Sequence, residues 1–121
     1  MNNTKKIIML IQVLKSKLSD VIVTAANTEY EGSITLDEDL MDAAGLYRSE
    51  RVEVNAVNGE SRISTYVIPG KRGSGCVELN GGAANFFVVG QHIHVNSFGF
   101  IDIGSRTPQH IVKTDENNKV I

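Results

Sequence analysis

Arg51-Val52-Glu53-Val54-Asn55-Ala56-Val57-Asn58-Gly59-Glu60-Ser61-Arg62-Ile63-Ser64-Thr65-Tyr66-Val67-Ile68 is the stretch on which the fold turns. Residues 51–57 and 61–68 are rich in β-branched side chains, which fit a pleated, half-buried surface. Between them, Asn58-Gly59 is the strongest short hairpin signal in the chain, because both residues tolerate the positive φ of a tight strand-to-strand turn. Pro69-Gly70 ends the second run.

Toward the C-terminus, Val77–Leu79 reads as another short strand, and Asn80-Gly81-Gly82-Ala83-Ala84-Asn85 as a tight turn entering a short helix. Residues 91–98 alternate in polarity, and the strand is expected to continue through Ile103. Beyond Gly104 the composition turns polar apart from Ile111-Val112, so residues 104–121 are expected to form an edge segment and then a frayed tail.

Toward the N-terminus, Ser33–Leu36 is extended and Asp37 is placed to cap a helix over Glu38–Ala44, with acidic residues in the first turn where the helix dipole favours them. Gly45 supplies a left-handed cap at its end. Residues 18–25 are expected to form a strand buried on both faces, followed by a turn at Ala26-Asn27-Thr28. Ile7–Ile11 follows Lys5-Lys6 like the start of a signal peptide. Gln12, Lys15 and Lys17 interrupt the run, no small-residue cleavage site follows, and it is far short of the ~20 apolar residues of a membrane span. It is expected to be a core strand.

Six or more short strands with one or two short helices predict a small, mainly-β barrel, and 121 residues predict a single domain over 1–121. Twelve basic residues against fourteen acidic ones remove the electrostatic support for phosphate-backbone binding. Trp is absent, so stacking platforms for single strands are scarce as well. No nucleic acid, no membrane and a cytoplasmic location are expected. The lone Cys76 can form neither an internal disulfide nor a thiolate zinc site by itself, and reads as a buried, inert thiol.

His92 and His94 share a strand face at the spacing of two metal ligands, but no third ligand is near in sequence, so no metal is expected and both are read as solvent-facing. Asn80-Gly81-Gly82 can present consecutive N–H groups as an anion-binding nest or form an ordinary glycine-rich turn. Of the three Gly-Ser pairs, Gly32-Ser33 alone sits between an extended segment containing Tyr30 and a strand-helix unit that could hold a loop under strain.

Val23-Thr24, Tyr30-Glu31-Gly32-Ser33, Leu40-Met41-Asp42-Ala43-Ala44-Gly45-Leu46, Ser64-Thr65-Tyr66, Arg72-Gly73-Ser74 and Asn80-Gly81-Gly82-Ala83-Ala84, in that order, resemble the bacterial aspartate decarboxylase family. The likeness runs from about Lys17 to about Phe98. It implies a double-psi β-barrel, a homotetramer with sites between subunits, and production of β-alanine and CO2 from L-aspartate for pantothenate. It also implies a zymogen that cuts itself into a β chain, 1–32, and an α chain, 33–121.

By this resemblance the Ser33 hydroxyl attacks the Gly32 carbonyl, and Ser33 becomes a covalent pyruvoyl group that forms a Schiff base with substrate. Such a group does the work of a pyridoxal cofactor from the protein's own backbone. Gly32, lacking a Cβ, is expected to admit a close approach and a strained backbone. Thr65 matches the position that assists cleavage, and Tyr66 that of the proton donor. Lys17 and Arg62 match cationic positions for the substrate's carboxylates, while Asn80, Gly81, Gly82 and Ala83 match the loop that lines the pocket.

Gly82, Ser19, Asn55 and the long N-terminal run, Met1 to about Leu14, depart from the family pattern. Gly82 is expected to loosen the pocket loop by up to ~1 kcal/mol. No accessory maturation protein is specified by these residues. Two other functions fit the same sequence: decarboxylation of a different acidic amino acid, and a non-enzymatic barrel that binds a partner.

Overall fold

The stretch 51–68 folds as two antiparallel strands, β4 (Arg51–Ala56) and β5 (Arg62–Gly70), in a computed structural model that describes residues 8–106 and 109–121. Before them come β1 (Leu10–Ile22), β2 (Ala25–Asn27), β3 (Ser33–Asp37) and helix α1 (Glu38–Ala44). After them come β6 (Val77–Asn80), a short 3-10 helix (Gly81–Phe86), β7 (His92–Asp102) and β8 (His110–Lys113).

The strands lie in one sheet in the order β2-β6-β3-β5-β4-β7-β1-β8. β1 and β2 are near opposite ends of that order, yet only Val23 and Thr24 separate them in the chain. The sheet must therefore curl until its ends meet. The joint is hydrogen-bonded to both sides: Val23 exchanges N–H···O bonds with Gln91 and Gly90 beside β7, and Thr24 N–H donates to Val77 O of β6. The expected mainly-β barrel with two short helices is what forms. Inside it, Leu18, Val21, Val23, Ile34, Leu36, Val54, Val67, Val77, Leu79 and Ile93 are fully buried, each side chain contributing about 1.5–3 kcal/mol on leaving water.

Helix α1 has the boundaries its local signals predict. The Asp37 carboxylate accepts from Asp39 N–H at 2.8 Å, and Gly45 takes φ +65. Other expectations need correction. The hairpin connection is five residues, 57–61, with Ala56 N–H bonded to Ser61 O, so Asn58-Gly59 sits within a wider loop than a two-residue turn.

Residues 18–25 are not one doubly buried strand. The β1–β7 register shifts between Leu18 and Val21 at Asp20, which has φ +67, and Asp20 and Thr24 face solvent. Nor is the apolar N-terminal run a core strand: Ile8, Met9, Leu10 and Ile11 are 40–63% exposed. There the β1–β7 ladder continues as far as Leu10 opposite Asp102, but the apolar side chains at its start stay open to solvent. Ile7 lies outside the described residues.

The tail is not frayed. β8 runs parallel to β1, Val112 is buried, and Asn118 is 2% exposed. The Asn118 side chain donates to Ile22 O at 2.8 Å and Gly75 O at 2.9 Å, and accepts from Ile22 N–H at 2.8 Å. Residues 107 and 108 of the expected tail lie outside the described residues. No described helix is long and apolar enough to cross a membrane.

Candidate active site

Ser33 is the first residue of β3 and lies opposite Asn80, the last residue of β6. That pairing brings together two residues far apart in sequence. The Asn80 amide nitrogen donates to Ser33 Oγ at 3.0 Å and to Thr35 Oγ1 at 2.9 Å, and Ser33 Oγ donates to Glu31 O at 3.3 Å. Ser33 is 3% exposed and Asn80 5%. Asn80 stands where a helix cap would, but its amide is turned away from the 3-10 helix and toward these hydroxyls.

The Gly32–Ser33 bond runs between two pockets. One, about 540 Å³, is lined by Ser33, Thr35, Asn80, Tyr30, Tyr66 and the carboxylates of Glu31 and Glu78. The other, about 430 Å³, is lined by Gly32, Thr65, Tyr66, Gly82, Ala83 and Phe86. Tyr66 borders both, so its ring can serve chemistry on either side of the bond.

Gly32 itself departs from expectation. A Cβ there would meet nothing within 4 Å, and its φ is not in the left-handed range. The close approach belongs to Gly81, at φ +63, whose missing Cβ would stand 2.5 Å from Gly32 N and from Tyr30 O. Gly81 thus presses the start of the 3-10 helix onto the backbone preceding Ser33. Gly82 has open space where its Cβ would be.

Lys17 and Arg62 line neither pocket. Cross-strand pairs share a sheet face, and the registers Lys17–Asn96–Glu53–Ser64 and His94–Asn55–Arg62 set both cations on the outer face of β1-β7-β4-β5. Arg62 is four residues from Tyr66 along β5, about 13 Å. Lys17 is three strands away from β5, about 14 Å.

His92 faces solvent as expected and His94 is half-buried, and both rings engage Asp20. His92 Nδ1 lies 2.7 Å from Asp20 Oδ1, and His94 Nδ1 accepts from Asp20 N–H at 3.1 Å. Burial, with the nearby Lys17 charge, pushes the His94 pKa down against the pull of Asp20, which suits a neutral ring accepting that bond. The two histidines hold the bulge in β1. Among the described residues, no three His, Cys, Asp or Glu side chains are grouped to bind a metal ion. Cys76 is part-buried, and burial raises its thiol pKa.

Thr35 and Glu78 were not singled out from the sequence. Only the β3–β6 pairing, which sets them opposite each other and next to Ser33 and Asn80, marks them.

The residues fit a carbonyl group made from Ser33. The hydroxyl is held by a side-chain donor, the preceding peptide carbon belongs to an unhindered glycine, and a cavity large enough for a small amino acid adjoins it.

Comparison with known proteins agrees with this geometry. The profile of the aspartate decarboxylase family matches residues 9–121, so the likeness begins earlier and runs further than the motifs alone suggest. The aspartate 1-decarboxylase of Caldicellulosiruptor saccharolyticus is 45% identical over 116 residues, covering 93% of this chain and 90% of that protein. That of Phocaeicola vulgatus is 45% identical over 93% of this chain and its own full length. The Carboxydothermus hydrogenoformans protein of the same name is 37% identical over 93% of the chain.

Proposed function

The chain belongs to the aspartate decarboxylase family, and from that premise we propose that it converts L-aspartate to β-alanine and CO2 with a pyruvoyl group made from its own Ser33. The product serves pantothenate synthesis. One observation carries the assignment: a buried Ser33 hydroxyl, held by Asn80, at a bond flanked by two pockets that meet at Tyr66.

Maturation begins as Ser33 Oγ bonds to the Gly32 carbonyl carbon, the carbon–nitrogen bond breaks, and the hydroxyl proton passes to the freed nitrogen. Thr65, in the same pocket as Gly32, donates to the oxyanion that develops, an interaction worth about 3 kcal/mol of barrier. Loss of the Ser33 α-proton and of the Cβ–Oγ bond then releases Gly32 as a carboxylate, and hydrolysis of the remaining enamine liberates ammonia. The chain is left as residues 1–32 and 33–121.

The resulting carbonyl supplies an electron sink for the pair left on the substrate's Cα when CO2 departs. Tyr66, which lines the same cavity as Ser33, is assigned the proton that Cα receives. Asn80 and the backbone of Gly81, Gly82 and Ala83 border the site.

Arg62 and Lys17 hold the two carboxylates, Arg62 by a bidentate fork. Neither lines a pocket beside Ser33 in its own chain, so both are assigned to the site of a neighbouring copy in a homotetramer. The enzyme needs no metal and no membrane.

Denaturing mass spectrometry of the purified protein tests this. Two fragments dividing after Gly32 are expected, the larger without a free α-amine, and Ser33→Ala should stay whole and form no β-alanine. A wild-type chain that stays intact on prolonged warm incubation overturns the assignment.

A further inference from the structure

We propose that Glu78 reads the substrate's α-ammonium group and takes from it the proton it must lose before its nitrogen can act at the Ser33 position. The inference rests on the assignment above. In the step, an N–H bond of the ammonium breaks, an O–H bond forms on the Glu78 carboxylate, and a neutral amine remains.

Glu78 lies on β6 directly opposite Thr35, and Asn80 lies two residues on, opposite Ser33. Alternate residues of a strand share a face, so Glu78 and Ser33 are diagonal neighbours on one surface, about 7–8 Å apart at their Cβ atoms. That gap accommodates a glutamate side chain plus one small cationic group. Both residues line the same cavity of about 540 Å³, as does Tyr66.

The charge of the cavity selects which end of the substrate enters. Glu31 and Glu78 line it, and no Lys or Arg does. Among the described ion pairs none involves Glu78. An α-amino dicarboxylate has a single cationic group, and that group alone is attracted here. It is also the group whose nitrogen must reach the Ser33 position. The carboxylates are repelled from this wall toward the cations that Arg62 and Lys17 present from elsewhere. One acidic wall thus sets the orientation of a substrate whose two ends are otherwise alike.

The test counts amine captured at Ser33. Cut wild-type and Glu78→Gln protein are incubated with L-aspartate and sodium cyanoborohydride, and the mass gained by residues 33–121 is read. Succinate, which has both carboxylates and no nitrogen, is the competitor. Glu78→Gln should raise the aspartate needed for half-maximal capture about tenfold, as expected for the loss of one charge-assisted hydrogen bond. The succinate that halves capture should stay within about twofold, since no carboxylate contact is lost. Glu78→Asp, which keeps the charge, should recover part of the aspartate effect.

An aspartate requirement that is unchanged or lower in Glu78→Gln overturns the proposal, as does a parallel shift for succinate. A wild type that captures no amine refutes the Ser33 assignment itself. A wild type that captures amine, matched by Glu78→Gln, refutes the role of Glu78 alone.

Discussion

Replacing Gly81 with alanine should damage this protein far more than the same change one residue later. A Cβ at Gly81 would lie 2.5 Å from Gly32 N, 2.5 Å from Tyr30 O and 2.8 Å from Glu31 C. All three are backbone atoms, which cannot swing aside as a side chain does. Restoring ordinary contact at about 3.5 Å forces the 3-10 helix and the segment before Ser33 apart by about 1 Å. A left-handed alanine costs about 1 kcal/mol, and overpacking against a fixed backbone adds about 1–3 kcal/mol. The expected loss is therefore about 2–4 kcal/mol.

The same displacement moves Gly32-Ser33 relative to Asn80, and a 1 Å misplacement of reacting groups slows a reaction about 100-fold. Gly82→Ala is the control. Its Cβ meets nothing within 4 Å, so it should stabilise by about 0.4–1 kcal/mol through the unfolded state and leave cleavage at the wild-type rate. Stability is measured by urea unfolding in a Ser33→Ala background, so that all chains stay whole, and cleavage by mass spectrometry of the variants with Ser33 intact. A Gly81→Ala protein that matches wild type in both, or a Gly82→Ala protein equally damaged, would refute the reasoning.

Two further changes probe the frame around the site. Asp37 is buried and accepts from Asp39, Gly73 and Gly75 N–H at 2.7–2.9 Å. Burial alone would raise its pKa, but these bonds and the Lys119 charge together hold it below the usual aspartate value. Its contribution is thus fully present above the unfolded pKa and lost as pH falls through the folded one, so Asp37→Asn should flatten the acid limb of urea stability curves below about pH 4. Asn118→Ala removes three side-chain hydrogen bonds at a left-handed residue and should cost about 3 kcal/mol, with hydrogen exchange at Ile22 rising first; unchanged protection there would count against the tail as a brace.

How much of this was visible beforehand depends on how local each signal is. Helix α1 was legible to the residue because Asp37 and Gly45 write its ends within one turn. β4 and β5 were legible from composition, although the Asn58-Gly59 pair overstated how tight their connection is. The exposed Ile8–Ile11 run misled because composition reports apolarity and not which apolar strand residues the fold leaves uncovered. The tail was misjudged because its anchor, Asn118, bonds to Ile22 and Gly75, which are 96 and 43 positions away. In the site, Gly32-Ser33 and Asn80 stood out by local context and gained their roles from likeness to a family, whereas Thr65 and Tyr66 came from that likeness alone. Thr35 and Glu78 depend on which strands pair, and the tight glycine proved to be Gly81, because only packing tells a crowded glycine from a free one.

The two-residue joint between β1 and β2 has a consequence for what a cut after Gly32 leaves behind. Residues 8–27 hold β1 and β2, which are laced by hydrogen bonds to β7 and β8 on one side and to β6 on the other. The severed barrel is then a two-piece object whose smaller piece is threaded through the larger as part of its wall. An intact chain recovers from unfolding by a first-order search, whereas the severed one must find its missing staves by second-order encounter. If the chain is cut there, activation and the power to refold alone are traded within one bond, and the working life of the cut protein is set by how slowly its wall comes apart.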